Sequence, residues 1–162
     1  YQGEELGLPE ADIAFEDLQD PAGKTFWPDY KGRDGCRTPL PWDDALPNAG
    51  FGNGKPWLPV SPAHLPRSIK QQAADPHSVL GFYKKAIALR QASAVLRLGS
   101  IETVRAKQNL LVLRRSHGAE TIICLFNFGP DAVPNPYQGE GILASAASEH
   151  IEPRGFRWVK GS

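Results

Sequence analysis

Hydrophobic and polar positions divide the chain into three stretches of different period. Beyond residue 100, short apolar runs alternate with turn residues. The runs cover 101–106, 110–115, 121–128, 141–145 and 156–160, and Asn109, Ser116-His117-Gly118 and Gly129-Pro130 punctuate them. That spacing predicts short strands in a small antiparallel β-sandwich. In the last run Phe156 and Trp158 fall on one face, with Arg157 and Val159 on the other. The aromatic pair is read as core packing, against the alternative of a sugar platform. About sixty residues make a marginal core, so the module is expected to lean on a preceding helix.

Residues 75–97 carry the helical period. Leu80, Tyr83, Ile87 and Ala94 form one stripe, which Val79, Phe82, Ala86 and Leu89 widen. Asp75 suits an N-cap, Pro76 the first helical position, and Gly99-Ser100 the end. Such a stripe is expected to pack on a core rather than to meet a membrane or partner helix. Residues 1–74 show little periodicity and are rich in Gly, Pro, Asp and Trp. A short helix is predicted over 12–18, burying Ile13, Phe15 and Leu18. Residues 48–62 hold turn residues interleaved with Phe51, Trp57, Leu58 and Val60. A loop of that length is functional or disordered, and its aromatics argue against disorder.

Composition narrows the function classes. Lys plus Arg equals Asp plus Glu at 18 each, so no basic field exists to attract nucleic acid or an anionic membrane. No apolar run approaches the ~20 residues of a membrane helix. Cys36 and Cys124 are far apart, without metal spacing, and read as free thiols of a reducing, cytoplasmic compartment. The four histidines are scattered, so neither a metal site nor a cofactor is predicted. No internal repeat or low-complexity tract is visible.

The densest chemistry lies in Gly32-Arg33-Asp34-Gly35-Cys36-Arg37-Thr38-Pro39-Leu40-Pro41-Trp42. Pro39 and Pro41 exclude a helix and a central strand. The segment reads as a rigid loop presenting Arg33 and Arg37, and such loops carry function. The alternative is a structural turn whose arginines pair with Asp34 and Asp43. Upstream, Tyr1-Gln2-Gly3-Glu4-Glu5-Leu6-Gly7 reads as a strand-like end, a glycine turn and two adjacent carboxylates. Asp43-Asp44 reads as a solvated turn rather than a metal site. Trp42, Phe51 and Trp57 are read as loop packing ahead of an acceptor site.

These motifs, with Asp20-Pro21, Phe26-Trp27-Pro28, Asp75-Pro76-His77-Ser78-Val79-Leu80-Gly81-Phe82-Tyr83 and Ala86-Ile87-Ala88-Leu89-Arg90, resemble the alpha-glucosidase and oligo-1,6-glucosidase branch of glycoside hydrolase family 13. The resemblance is specific to about residue 97. It implies an α+β fragment: the last β/α unit and long loop of a (β/α)8 TIM barrel over 1–98, then an antiparallel β-sandwich over 99–162. A whole barrel needs roughly 250 residues. The family's catalytic carboxylates lie on earlier strands, so the resemblance implies that none is in this chain and that the chain alone is inactive.

The implied parent is a retaining, exo-acting alpha-glucosidase whose substrate is a small oligosaccharide and whose partner is the rest of the barrel. In the resembling enzymes an arginine at this motif reaches the non-reducing-end glucose, which makes Arg33 the first substrate-binding candidate and Arg37 the second. Asp34 is expected to orient either arginine. Glu5 is expected to bond loop amides or an arginine, and Glu4 to support the site indirectly. Same-fold alternatives are a trehalose synthase or sucrose isomerase. A non-enzymatic, family-like transporter subunit is the alternative from another class.

Overall fold

The computed structural model describes residues 1–137, 139–146 and 149–161. By internal contacts the chain forms two compact units, Tyr1–Lys85 and Ala86–Ser162.

The first unit is built from turns and short helices. The Tyr1 end is a turn leading into a 3-10 turn at Glu4–Leu6, not a strand. Helix α1, Pro21–Thr25, begins on Asp20, whose side chain accepts from the Ala22 amide, with proline at the first position. Helix α2, Ile69–Ala74, is capped by Ser68. Helix α3, Val79–Ala92, runs across the boundary between the units, and α4, Ala94–Leu98, belongs to the second.

The predicted helices need correction. The 75–97 helix is two helices. Ser93 adopts an extended backbone and its side chain accepts from the Leu96 amide, so it ends α3 and starts α4. Asp75 does not cap α3. It ends α2, and its carboxylate accepts from the His77 amide in a turn that leaves Pro76 outside any helix. No residue of α3 is buried; Val79 and Ile87 are exposed, so the stripe is only partly covered. Over 12–18 there is one 3-10 turn, Phe15–Asp17. Ile13 and Leu18 are buried as expected, whereas Phe15 lies at the surface against Trp27, edge to face at 5.6 Å.

Apolar burial in the first unit is thin. Ala11, Ile13, Leu18 and Leu58 make one cluster. Buried polar groups supply the rest of the cohesion. Gln72 donates from Nε2 to the Leu6 and Arg67 carbonyls at 2.8 and 3.0 Å, while its Oε1 accepts from the Leu80 amide at 3.0 Å. One side chain thus closes three irregular segments whose backbone groups have no ladder to join.

The second unit is the expected sheet structure. Strands β1 Ser100–Lys107, β2 Leu110–His117 and β3 Glu120–Asn127 form an antiparallel meander. Strands β4 Val133–Pro134, β5 Gly141–Ala144, β6 His150–Ile151 and β7 Phe156–Lys160 follow. The main sheet has the order β1-β2-β3-β7-β5, and β4 pairs with β6 as a second small sheet. The β1–β2 turn places Gln108 and Asn109 at φ 53° and 63°, the paired left-handed conformation of a tight hairpin whose twist matches its strands. The β2–β3 turn has Gly118 at φ 59°.

Strand β3 lies at the centre and is covered on both faces, which explains its unbroken Ile122-Ile123-Cys124-Leu125 run. Ile123 and Leu125 join Leu110, Val112, Ile151 and Val159 on one side. Ile122 and Cys124 join Val95 and Leu96 of α4 on the other, with Trp158 packed against them. Phe156 meets Trp158 edge to face at 6.4 Å, while Val159 points to the opposite cluster, as the alternation predicts. Arg115 fixes the end of α4. Its Nη2 donates to the Val95, Leu96 and Gly99 carbonyls and its Nε to Ser100, placing a cation at a helix C-terminus.

Asn127 is the polar node of this unit. It is buried, its Nδ2 lies 2.7–3.2 Å from the carbonyls of Asp131, Ile151 and Glu152, and its Oδ1 accepts from the Gly129 amide. Asn127→Ala leaves the buried Ile151 carbonyl and the Gly129 amide without their partner, at about 1–3 kcal/mol for unsatisfied buried groups. Urea unfolding of the 162-residue chain, followed by circular dichroism, is expected to show a loss of about 2 kcal/mol with an unchanged denaturant slope.

Candidate functional site

Proline placement and buried carboxylates shape the arginine loop. Residues 32–42 form no regular element apart from a 3-10 turn at Asp34–Cys36, in keeping with the backbone limits that Pro39 and Pro41 impose. Asp34 is almost wholly buried, and its Oδ2 accepts the amides of Gln19 and Asp20 at 2.6 and 2.8 Å. Its described hydrogen bonds go to backbone amides rather than to either arginine. The carboxylate beside Arg33 is that of Asp20. Asp20 Oδ2 accepts the Arg33 amide at 3.0 Å and lies 3.8 Å from Arg33 Nε. Asp43, the other partner considered for the arginines, pairs with Lys70 at 2.7 Å.

The arginines stand in different places. The Arg33 side chain is 69% exposed. Arg37 lines a cavity of about 460 Å³, together with Glu4, Cys36, Thr38, Trp57 and His64. Arg33 is not among the residues lining that cavity. Glu4 contributes an exposed carboxylate to its wall, and Glu5 Oε2 accepts the Gly3 amide at 2.9 Å. Glu4 and Glu5 sit on a 3-10 turn, not on an emerging strand. Trp42, Phe51 and Trp57 are all exposed, Trp57 most of all at 74%, so the reading of these rings as packed loop residues is corrected.

Sequence reasoning passed over His64. Its ring is buried on the cavity wall, with Nε2 2.7 Å from the Pro9 carbonyl and Nδ1 3.3 Å from the Thr38 hydroxyl. A carbonyl only accepts, so Nε2 carries hydrogen. The ring ties the arginine loop to the segment after residue 7. Nothing in the lone Ala63-His64-Leu65 context marks it. Asp20 was missed as a site residue for another reason: Asp-Pro reads as a helix start, which it also is.

Asp43 and Asp44 are more than a solvated turn. Asp44 accepts from Ser68 Oγ at 3.0 Å and from Gln71 Nε2 at 3.1 Å. Among the described residues no group of three or more His, Cys, Asp or Glu is placed to hold a metal ion. Cys36 and Cys124 are both free. Among the described residues no helix is long and apolar enough to cross a membrane.

The local charges are set by these bonds. The Arg33 and Ala22 amides hold the Asp20 carboxyl below its ordinary value against partial burial, with the Arg33 and Arg37 charges adding to the effect. Asp43 is lowered by its Lys70 hydrogen bond and Asp44 by the Ser68 hydroxyl and Gln71. Burial pushes the Cys124 thiol up to about 11.

Two outcomes follow from these bonds and shifts. A lowered carboxyl stabilises the fold fully above its unfolded value of 3.8, and that contribution disappears as pH falls through the lowered folded value. Urea midpoints should therefore fall on the acid side of about pH 4, and the triple replacement Asp20→Asn, Asp43→Asn, Asp44→Asn should flatten that limb. Iodoacetamide at about pH 8 should add one label, at Cys36, because the buried Cys124 stays protonated; peptide mass spectrometry reads the position.

Residues 1–99 match the family model described as the alpha amylase catalytic domain. The chain is 45% identical over 160 residues to a probable alpha-glucosidase of Rhizobium meliloti (strain 1021), covering 94% of this chain and 29% of that protein. It is 33% identical over 147 residues to an oligo-1,6-glucosidase of Parageobacillus thermoglucosidasius, covering 79% and 26%. Among solved structures it is similar to the alpha-glucosyl transfer enzyme XgtA, with a TM-score of 0.86 and 41% identity over 100% of this chain and 32% of that one. It is also similar to a MutB mutant in complex with glucose, with a TM-score of 0.82 and 28% identity over 98% and 34%; another similar MutB structure is described as a trehalulose synthase. The chain spans under a third of the length of these curated relatives.

Proposed function

Because this chain belongs to the alpha-amylase catalytic-domain family, we propose that it is the C-terminal part of a retaining, exo-acting alpha-glucosidase. In this reading residues 1–98 complete the barrel and 99–162 form the sandwich that follows it in sequence. The observation that carries the reading is Arg33, an exposed guanidinium on a proline-stiffened loop, with a buried carboxylate at its Nε edge. A guanidinium offers five donors in a fixed fork. With one edge facing Asp20, the other edge is available to the hydroxyls of a terminal sugar. Donors around a terminal ring favour a chain end and suit exo action.

The chemistry follows the two-carboxylate scheme. One carboxylate attacks the anomeric carbon while a carboxylic acid protonates the leaving oxygen, and water then releases the sugar from the covalent intermediate. Neither group is assigned to this chain. Arg33 binds the terminal ring, and its positive charge helps keep a neighbouring nucleophile ionised. Arg37, on the cavity wall, is the second candidate for sugar contact.

A second reading within the family is glucosyl transfer or sucrose isomerisation. The similarity to XgtA and to trehalulose synthase favours it. The two readings differ in whether water or a sugar hydroxyl resolves the intermediate. Product analysis of the full-length protein on maltose and sucrose separates them, free glucose marking hydrolysis and isomeric disaccharide marking transfer.

Arg33→Ala in the full-length protein, assayed with an aryl alpha-glucoside, tests the site. A hydrogen bond from a charged donor is worth about 1.5–3 kcal/mol, so KM is expected to rise on the order of tenfold to a hundredfold. Residues 1–162 alone are expected to show no turnover. An unchanged KM would remove Arg33 from the substrate site, and turnover by the isolated chain would relocate the catalytic acids.

A further inference from the structure

Asp20 holds Arg33 in a way that leaves part of the guanidinium unused. The Arg33 amide donates to Asp20 Oδ2 at 3.0 Å, and Nε of the same side chain lies 3.8 Å from that oxygen. The backbone contact is a hydrogen bond; the side-chain contact is an ion pair, beyond direct hydrogen-bond range. Among the described residues no other carboxylate forms an ion pair with the guanidinium, whose side chain is 69% exposed.

The carboxylate is itself built in. Its Oδ1 accepts the Ala22 amide at 3.0 Å, and the Asp20 amide donates to buried Asp34 at 2.8 Å. Asp20 is 9% exposed while its arginine partner is 69% exposed, so the fixed member of the pair is the anion. Gly32 makes the approach possible. It sits at φ +75°, and a Cβ there would lie 2.9 Å from Asp20 Cβ and Cγ. The residue before Arg33 therefore has both the backbone freedom and the empty volume that let the carboxylate reach the loop. The three features converge on one geometry, an exposed arginine held by its amide and approached at its Nε edge by a fixed carboxylate.

We infer that Asp20 is the positioning residue for Arg33, fixing the guanidinium so that Nη1 and Nη2 present to a sugar diol. This rests on the reading of Arg33 as a substrate-binding group and adds the device that aims it. Asp20 touches no reacting atom. Its contribution is orientation, and orientation is lost when the charge is removed even where the hydrogen-bond acceptor remains.

The test is a double-mutant cycle in the full-length protein with an aryl alpha-glucoside. Asp20→Asn keeps one side-chain oxygen, which can still accept the Ala22 amide, and replaces the oxygen that serves Arg33 with an uncharged NH2 group; asparagine is as good an N-cap as aspartate. It is expected to raise KM about tenfold with kcat within about twofold, and to leave KM unchanged when placed in an Arg33→Ala background. A purely structural role would move the melting temperature and kcat together, and by similar factors in both backgrounds. Equal KM effects in the two backgrounds overturn the positioning role while leaving Arg33 in the site. An Arg33→Ala variant with normal KM overturns the underlying reading instead. Should Asp20→Asn fail to fold, Arg33→Lys decides the matter. Lysine keeps the charge but has no Nε edge to be held by, so its KM should rise as far as that of Arg33→Ala. A wild-type KM for Arg33→Lys would refute steering through Nε.

Discussion

A loop-built domain must find acceptors for backbone amides that no helix or sheet consumes, and that constraint governs the first unit. Asp34 meets it most directly. One buried oxygen takes two successive amides, those of Gln19 and Asp20. This bond pins the start of α1 to the arginine loop, fourteen positions later in the case of Asp20. Asp20, once pinned, offers its own carboxylate to the Ala22 and Arg33 amides. Two acids in series thus set where the guanidinium begins. A buried acid left without such donors would be costly; here each one replaces water with fixed amides.

The same solution recurs wherever the chain is irregular. Gln72 closes three segments, His64 two, and Asn48 donates to the Gly52 and Gly54 carbonyls across the long loop. The sheet unit needs little of this. Its strands exchange amides and carbonyls with one another, and Asn127 serves the turn where the ladder stops. The contrast implies that the two units depend on different interactions. Acid removes the charges that organise the loops, whereas truncation of core side chains empties the sheet.

Legibility in the sequence followed the same division. The five main strands were readable because hairpin turns and alternation are local signals, as at Gln108-Asn109 and in the 156–160 run. Strands β4 and β6 are two residues long each and carry no period to detect. The helical stripe over 75–97 was readable as helix but not as two helices, because the break depends on the Ser93 side chain, not on periodicity. Asp20-Pro21 and Asp75-Pro76 look alike, yet the first opens α1 and the second follows α2. What decides between them is long-range: Asp20 is fixed by Asp34, while Asp75 answers to its near neighbour His77. Arg33 was visible as a loop cation, but the carboxylate that holds it lies thirteen positions upstream, where no local pattern points to it.

The identity of the cation then matters for a geometric reason. A lysine in place of Arg33 would be a point charge and would satisfy Asp20 by swinging its single nitrogen inward, leaving nothing outside. The guanidinium is planar and has separate edges, so it can answer an internal anion and an external ligand together. That division of labour requires the internal anion to remain charged and still. The amides of Arg33 and Ala22 lower the Asp20 carboxyl from its ordinary value, and Asp34 fixes its backbone. The outer end of the arginine is 69% exposed, while its root is anchored by the loop's own need for amide acceptors. The placement of this guanidinium is therefore a by-product of the bond that folds the loop, since one carboxylate oxygen serves both the Arg33 backbone and its side chain.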